Sequence, residues 1–166
     1  MMIYIRLPSE NVSDDQFNQM VIVENNADGD PYSLEGLHAT IKHSGNDNFV
    51  CVHEKKIVGF ATINPYSKRF GGSIYIVNLS VHKDFQRMGV AQNIIKTACE
   101  YYSKEYHSKC ITLHVSKDNV KAVGLYKKLA FEVIDDFIED EDDYAMGITI
   151  NNLKQKFIKL QDNQKL

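Results

Sequence analysis

The sequence is poor in cysteine and has no strong excess of charge. Its three cysteines, Cys51, Cys99 and Cys110, are odd in number and lack the Cys-x-x-Cys spacing of redox and zinc motifs, so we expect reduced thiols and a cytoplasmic protein. A net charge of −3 gives no general attraction to nucleic acid. No apolar run approaches the ~20 residues of a membrane span, and the N-terminus becomes polar too quickly for a signal peptide.

Length and apolar content fit one domain. At 166 residues, of which 43% are hydrophobic, the chain can bury a sizeable core, and no repeat or linker divides it. We predict a single domain over residues 1–150 and a C-terminal tail over residues 151–166. In this tail Leu153, Phe157 and Leu160 form a weak helical stripe, which packs either on the domain or on a second subunit of a homodimer.

One stretch in the middle of the chain has the pattern of an anion-binding turn. An apolar strand, Ile74–Val81, leads into a loop that contains a glycine and opens a helix with apolar residues at three- and four-residue spacing. Backbone N–H groups at the start of a helix lack intrahelical partners, and together with the helix dipole they bind phosphate groups. The loop has neither the Gly-Lys-Ser/Thr of a Walker loop nor the three glycines of the dinucleotide fingerprint. The residues that form it are Gln86, Arg87, Met88, Gly89, Val90 and Ala91.

The order of the predicted elements indicates an α/β fold. A first strand over residues 3–7 precedes two helices that begin near Ser13 and Ser33; a hairpin, the central strand and helix, and further strands and helices follow. We predict a mixed central sheet of about six or seven strands with helices on both faces. The strands that end at Val81 and Val115 should be parallel neighbours, because a helix connects them. The apolar residues expected to face inward are Phe17, Met20 and Val21 in the first helix and Leu34, Leu37 and Ile41 in the second.

Two motifs support a family resemblance. Residues 86–91, read as Gln-x-x-Gly-x-Ala, resemble the acetyl-CoA pyrophosphate loop of the GNAT superfamily, the Gcn5-related N-acetyltransferases. Residues 119–131 resemble the family's second signature, Asn-x-x-Ala-x-x-Leu-Tyr followed by Gly-Phe, with Ala130 in place of the glycine. The resemblance covers roughly residues 49–150 and is closest in motif to the ribosomal-protein N-terminal acetyltransferase branch. It implies a sheet splayed between its two central parallel strands and an acetyl-CoA-dependent N-acetyltransferase without a metal.

The resemblance also implies roles for single residues. The backbone of residues 86–91 would bind the CoA pyrophosphate, while the backbone of Leu79 and Val81 would pair with the pantetheine arm and direct an N–H at the thioester carbonyl. Asn119 is expected both to cap a helix and to contact the cofactor arm. Tyr126 would be the general acid, or a hydrogen-bond donor, for the departing thiolate. Its alternative role is ordinary core packing on an amphipathic helix.

His114 is the candidate for the base. In the branch that this sequence resembles, the corresponding place often carries a glutamate that takes the proton of the incoming ammonium. An amine attacks only when it is neutral, and histidine is suited to accept that proton. The alternative is a strand histidine that is hydrogen-bonded to a neighbour. The six histidines of the chain show no spacing that indicates a metal site.

The reaction implied is direct attack of a primary amine on acetyl-CoA in a ternary complex, and the acceptor stays open between a protein N-terminus and a small polyamine-like molecule. Residues 135–143 place seven carboxylates in nine positions, a run that either attracts a cationic acceptor or is a solvated loop. Two other classes of function are a non-catalytic acyl-CoA-binding regulatory module and a phosphate-binding module unrelated to CoA.

Overall fold

Strands and helices alternate along the chain. The structure, a computed structural model, describes residues 1–28, 31–68, 72–105, 109–134 and 140–163. The strands in these ranges are β1 (Met2–Pro8), β2 (Asp47–His53), β3 (Lys56–Asn64), β4 (Ile74–Val81), β5 (Cys110–Ser116), β6 (Glu132–Val133) and β7 (Asp143–Thr149). The helices are α1 (Asp14–Asn25), α2 (Leu34–Ile41), α3 (Val90–Tyr102), α4 (Val120–Lys128) and α5 (Ile150–Asp162).

The strands form one mixed sheet of seven in the order β1-β2-β3-β4-β5-β7-β6. Antiparallel pairing joins β1 to β2, β2 to β3, β5 to β7 and β6 to β7, whereas β4 and β5 are parallel. This confirms the predicted α/β class, the strand count and the parallel neighbours. Among the described residues the parallel register covers only Ile74 with Ile111 and Tyr75 with Thr112.

Internal contacts divide the chain into two compact units. The first consists of Met1–Pro65 and Ile76–Ala98, and the second of Tyr66–Tyr75 and Cys99–Leu166. β4 contributes its first two residues to the second unit and the rest to the first. The division into a domain over residues 1–150 and a tail stays a prediction.

In the first unit, serine side chains set the starts of α1 and α2. The Ser13 hydroxyl accepts a hydrogen bond from the Gln16 N–H at 3.2 Å, and the Gln16 side chain accepts one from the Ser13 N–H at 3.0 Å, which completes a capping box. Ser33 accepts from the Gly36 N–H at 3.0 Å in the same way. Both predicted helix starts are confirmed.

The inward faces of these helices differ in part from the prediction. α1 buries Phe17, Met20, Val23 and Glu24, and α2 buries Leu37 and Ile41. Val21 is only half-buried because it lies at the flank of the buried stripe, where it still packs on the core. The prediction was wrong for Leu34, which is 63% exposed at the first position of α2.

In the second unit, α5 contains most of the predicted tail. The Thr149 hydroxyl caps this helix by accepting from the Asn152 N–H at 3.2 Å. Leu153 and Phe157 are buried, so the apolar stripe of the tail packs within the chain itself. Of the helices in the described ranges, none is both long and apolar enough to cross a bilayer.

Candidate functional site

The turn between β4 and α3 has the backbone geometry of an anion-binding loop. Arg87 and Gly89 have φ angles of 59° and 78°, both left-handed, and the alternation of such residues with right-handed ones produces concavities lined by N–H groups. Residues 87–89 are exposed. No described residue accepts a hydrogen bond from the backbone N–H groups of Arg87, Met88, Gly89, Val90 or Ala91. The turn therefore presents backbone N–H groups that can donate to a ligand, at the positively polarised N-terminal end of α3.

Gln86 has a different place from the other loop residues. Its N–H donates to the Lys83 carbonyl at 3.4 Å, and its side-chain Nε2 donates to the Val81 carbonyl at 3.2 Å. Gln86 thus fastens the loop to the end of β4. The open donors begin one residue later than predicted, at Arg87.

Gly59 on β3 positions the start of α3. A Cβ atom at this position would lie 2.9 Å from Val90 Cγ1 and 3.3 Å from both Ile94 Cδ1 and the Ser80 carbonyl oxygen. Because real Cβ atoms do not approach so closely, only glycine allows the first turn of α3 to lie directly on the sheet. The close contact fixes the helix start beside the end of β4.

One edge of β4 lacks a partner strand over part of its length among the described residues. The His82 N–H donates to the Val58 carbonyl next to it on β3, at 3.0 Å. Since backbone groups alternate in direction along a strand, those of Val77, Leu79 and Val81 point to the opposite edge. β4 pairs with β5 only as far as Tyr75, so the N–H groups of Leu79 and Val81 have no strand partner on this edge among the described residues.

The second unit brings His114 together with a tyrosine that the sequence analysis did not select. The hydroxyl oxygen of Tyr75 lies 3.1 Å from Nδ1 of His114, and the two rings meet edge to face with centroids 5.9 Å apart. Tyr75 is opposite Thr112 in the parallel register, so His114 lies two residues further along the same face. The hydrogen bond holds the half-buried imidazole in one orientation.

Tyr126 lies in the same unit and is buried, with 5% of its surface exposed. Burial raises the pKa of its phenol well above the ordinary value, and the nearby Tyr75 raises this pKa further. The phenol therefore stays protonated at neutral pH and is able to donate a hydrogen bond. Proton transfer from an ordinary phenol to a CoA thiolate is already uphill by roughly 2 kcal/mol. The raised pKa of Tyr126 increases this cost. For the role that the family resemblance implies, it therefore favours a hydrogen bond to the thiolate over full proton transfer.

The end of α4 holds Tyr126 in place. Ala130 has a φ angle of 66°, the Phe131 N–H donates to the Tyr126 carbonyl at 2.9 Å, and the Ala130 N–H donates to the Lys127 carbonyl at 2.9 Å. These two bonds form a Schellman motif, and its usual apolar contact is the ring of Phe131, 5.5 Å from the ring of Tyr126. The motif position that the family fills with glycine is thus a left-handed residue here as well.

Asn119 begins α4 as predicted. Its Oδ1 accepts from the Ala122 N–H at 3.1 Å, and this use of the carbonyl leaves the Nδ2 donors of the same side chain for another acceptor. The helix cap and a contact to a cofactor carbonyl are therefore compatible.

Part of the predicted acidic run, residues 135–139, lies outside the described residues. In the part that is described, the Lys117 N–H donates to the Asp142 carbonyl at 2.9 Å and Lys117 Nζ donates to the Glu141 carbonyl.

Two residues were missed from the sequence. Tyr75 carries no readable signal, because aligning the starts of the two predicted parallel strands places it opposite Ile111, on the other face from His114. The observed register differs by one residue and places Tyr75 opposite Thr112. The other is Glu24, which is 7% exposed and accepts hydrogen bonds from Asn78 and Ser80 on β4. Its signal is a carboxylate seven residues after Phe17, inside the apolar stripe of α1.

Comparison with known proteins gives a family match and a fold match. Residues 14–131 match the model of the acetyltransferase (GNAT) family. The N-alpha-acetyltransferase daf-31 of Caenorhabditis elegans is 29% identical over 103 residues, which are 57% of this chain and 55% of that protein. The chain thus spans about half the length of this curated relative.

Solved structures share the fold at low sequence identity. The ribosomal-protein-S18-alanine N-acetyltransferase from Escherichia coli superposes with a TM-score of 0.73 at 18% identity, covering 90% of this chain and 94% of that one. Arabidopsis thaliana Naa50, solved in complex with the bisubstrate analogue CoA-Ac-MVNAL, superposes with a TM-score of 0.62 at 22% identity, covering 88% and 98%.

Proposed function

The chain belongs to the GNAT acetyltransferase family, and from this premise we propose that it is an N-acetyltransferase that moves an acetyl group from acetyl-CoA to a primary amine. One observation carries the proposal. The loop between β4 and α3 is exposed, and the backbone N–H groups of residues 87–91 have no acceptor among the described residues. Such a loop fits the pyrophosphate of CoA, to which Arg87 adds a positive charge.

The thioester arm would lie along the open edge of β4. The N–H groups of Leu79 and Val81 are the donors there. The resemblance to the family implies a further donor to the arm from Asn119, whose Nδ2 is not used by the helix cap. When an amine attacks the thioester, its carbonyl oxygen becomes an oxyanion. A backbone N–H preorganised toward that oxygen contributes about 3 kcal/mol to the transition state.

The reaction then needs one base and one donor. The acceptor nitrogen forms a bond to the acetyl carbon, the ammonium proton passes to His114 directly or through a water, and the carbon–sulfur bond breaks. Tyr126 donates a hydrogen bond to the CoA thiolate as it leaves. Tyr75 orients His114 through its hydroxyl. No covalent enzyme intermediate forms in this direct attack within a ternary complex.

For the acceptor we propose the α-amine of a peptide. The support is the bisubstrate analogue in Naa50, which joins CoA through an acetyl group to a peptide, and the name of the worm relative. A small polyamine is the second candidate, supported by the seven carboxylates of residues 135–143. We further propose a cytoplasmic location from the unpaired cysteines.

A two-stage experiment tests the proposal. Calorimetry with CoA measures binding, and a panel of peptides and polyamines with acetyl-CoA is then followed by thiol release. We expect saturable CoA binding and release that depends on a peptide. Binding without any acceptor-dependent release would support the acyl-CoA-binding regulatory module instead, and no binding at millimolar CoA would remove the loop's assigned role.

A further inference from the structure

Glu24 is a buried carboxylate that the proposed chemistry does not use. Its Oε2 accepts hydrogen bonds from the Ser80 hydroxyl at 2.5 Å and from Asn78 Nδ2 at 3.0 Å, both on β4. Its Oε1 accepts from the Tyr32 N–H at 3.3 Å. A buried carboxylate with donors on both oxygens has its acceptor sites used inside the protein and is poorly placed to bind an outside cation. We therefore expect any effect of Glu24 on function to come through its hydrogen-bond partners.

Those residues join the segment after α1 to β4. The Tyr32 hydroxyl donates to the Val77 carbonyl at 3.2 Å, and the Asn26 carbonyl accepts from the Lys83 N–H at 3.0 Å. Burial, and then the charge of Glu24, raises the pKa of Tyr32, so its phenol stays protonated and can donate. Together with the bonds of Glu24 itself, they attach Glu24, Asn26 and Tyr32 to β4 and the turn after it at four positions, which are Val77, Asn78, Ser80 and Lys83.

The position of Tyr32 gives this arrangement a functional consequence. Its hydroxyl donates a hydrogen bond to the carbonyl of Val77, which lies two residues before Leu79. This carbonyl is on the same edge of β4 along which we propose that the thioester binds. Tyr32 is 44% exposed, so its side chain is accessible to a molecule that binds at this edge. We propose that Glu24 is a positioning residue that fixes Tyr32 on β4 and thereby sets the binding of the acceptor amine. This inference rests on the proposed function.

The substitution Glu24→Gln separates the two sides of this network. The remaining amide oxygen can still accept from Ser80 and Asn78, whereas the new NH₂ group faces the Tyr32 N–H, and two donors cannot pair. The hydrogen bonds from Ser80 and Asn78 on β4 are therefore kept, and the hydrogen bond from the Tyr32 N–H is lost. Tyr32→Phe tests the same side independently, because it removes only the bond to Val77.

Steady-state kinetics with the best peptide of the acceptor panel and acetyl-CoA then tests the role of Glu24. We expect both variants to raise the KM for the acceptor about five- to tenfold, with kcat and the KM for acetyl-CoA within about twofold of the parent. The double variant should be little worse than either single one, because both break the same attachment. Glu35→Gln, an exposed carboxylate on α2, is the matched control and should change nothing.

Each other result overturns the inference in a recognisable way. A fall in kcat with an unchanged acceptor KM would mean that Glu24 aligns β4 and not the acceptor. Equal rises in both KM values, or multiplicative effects of the two substitutions, would mean a general structural role. If the parent binds CoA but no acceptor raises thiol release, the proposed function itself fails, and this inference fails with it.

Amide hydrogen exchange gives a check without turnover, since residues 26–28 and 31–33 should exchange faster in Glu24→Gln than in Glu35→Gln.

Discussion

The Tyr75 hydroxyl lies 3.1 Å from Nδ1 of His114, and this bond joins the start of β4 to β5. A histidine that must collect a proton from an incoming ammonium works best when one ring nitrogen is held and the other faces the reactant. Tyr75 supplies that constraint.

The pair predicts energetic coupling between the two residues. Tyr75→Phe keeps the ring contact and removes the hydroxyl, so we expect kcat to fall about five- to tenfold, equivalent to about 1 kcal/mol. In a His114→Ala background the same change should cost less than about twofold, because there is no imidazole left to orient. Thiol-release kinetics of the four proteins of this cycle measures the coupling. Equal losses in both backgrounds would separate Tyr75 from His114 in function.

Tyr126 should be needed for turnover and not for cofactor binding. Tyr126→Phe keeps the packing against Phe131 and removes the donor that we propose for the thiolate, so we expect kcat to fall by roughly 10²-fold while the Kd for CoA stays within about twofold. Because burial raises its pKa, Tyr126 stays protonated at least to about pH 10, and its ionisation should cause no loss of activity below that pH. Tyr101→Phe, a change at a partly exposed tyrosine of α3, is the control. Unchanged turnover in Tyr126→Phe would remove this residue from the mechanism.

Gly89 should be important for CoA binding because its φ angle of 78° is one that side chains rarely adopt. Gly89→Ala has space for the new methyl group, since its nearest heavy atom is Asn93 Nδ2 at 3.5 Å. Its cost is therefore backbone strain of about 1–2 kcal/mol, which the loop relieves by changing its shape. We expect the Kd for CoA, measured by calorimetry, to rise about tenfold.

Gly124 is the matched control for this loop variant. It lies inside α4 with no atom within 4 Å of an added Cβ, so Gly124→Ala should leave CoA binding unchanged and stabilise the helix by up to about 1 kcal/mol. If Gly89→Ala binds CoA as tightly as Gly124→Ala does, the shape of the loop is not what the cofactor recognises.

The parts of this molecule that the sequence predicted are those encoded locally. Caps at Ser13, Ser33 and Asn119, strand periodicity and the two family motifs each occupy a few consecutive residues, and the structure has the corresponding elements in the predicted order. The parts that were missed depend on pairing between distant segments. Tyr75 and His114 are 39 residues apart, and Glu24 and Ser80 are 56 apart, so no local pattern joins them. Gln86 shows a third case: the motif predicts that it binds the pyrophosphate, whereas in the structure its donors are used inside the protein.

Ala130 gives a prediction about stability with a known sign. Its φ angle of 66° costs an alanine about 1–2 kcal/mol, whereas glycine adopts it freely and loses about 0.5–1 kcal/mol more backbone entropy on folding. Ala130→Gly should therefore raise the free energy of unfolding by about 0.5–1 kcal/mol and Tm by about 1–4 °C, as measured by thermal and urea denaturation. Ala39→Gly, the same change at an exposed position inside α2, should do the opposite and lower stability by about 1 kcal/mol. Since the bonds of the Schellman motif hold Tyr126 through its carbonyl and through Phe131, kcat should be kept or rise slightly in Ala130→Gly. A lower Tm would mean that the left-handed turn is not strained by alanine, and the usual glycine at this family position would then need another explanation.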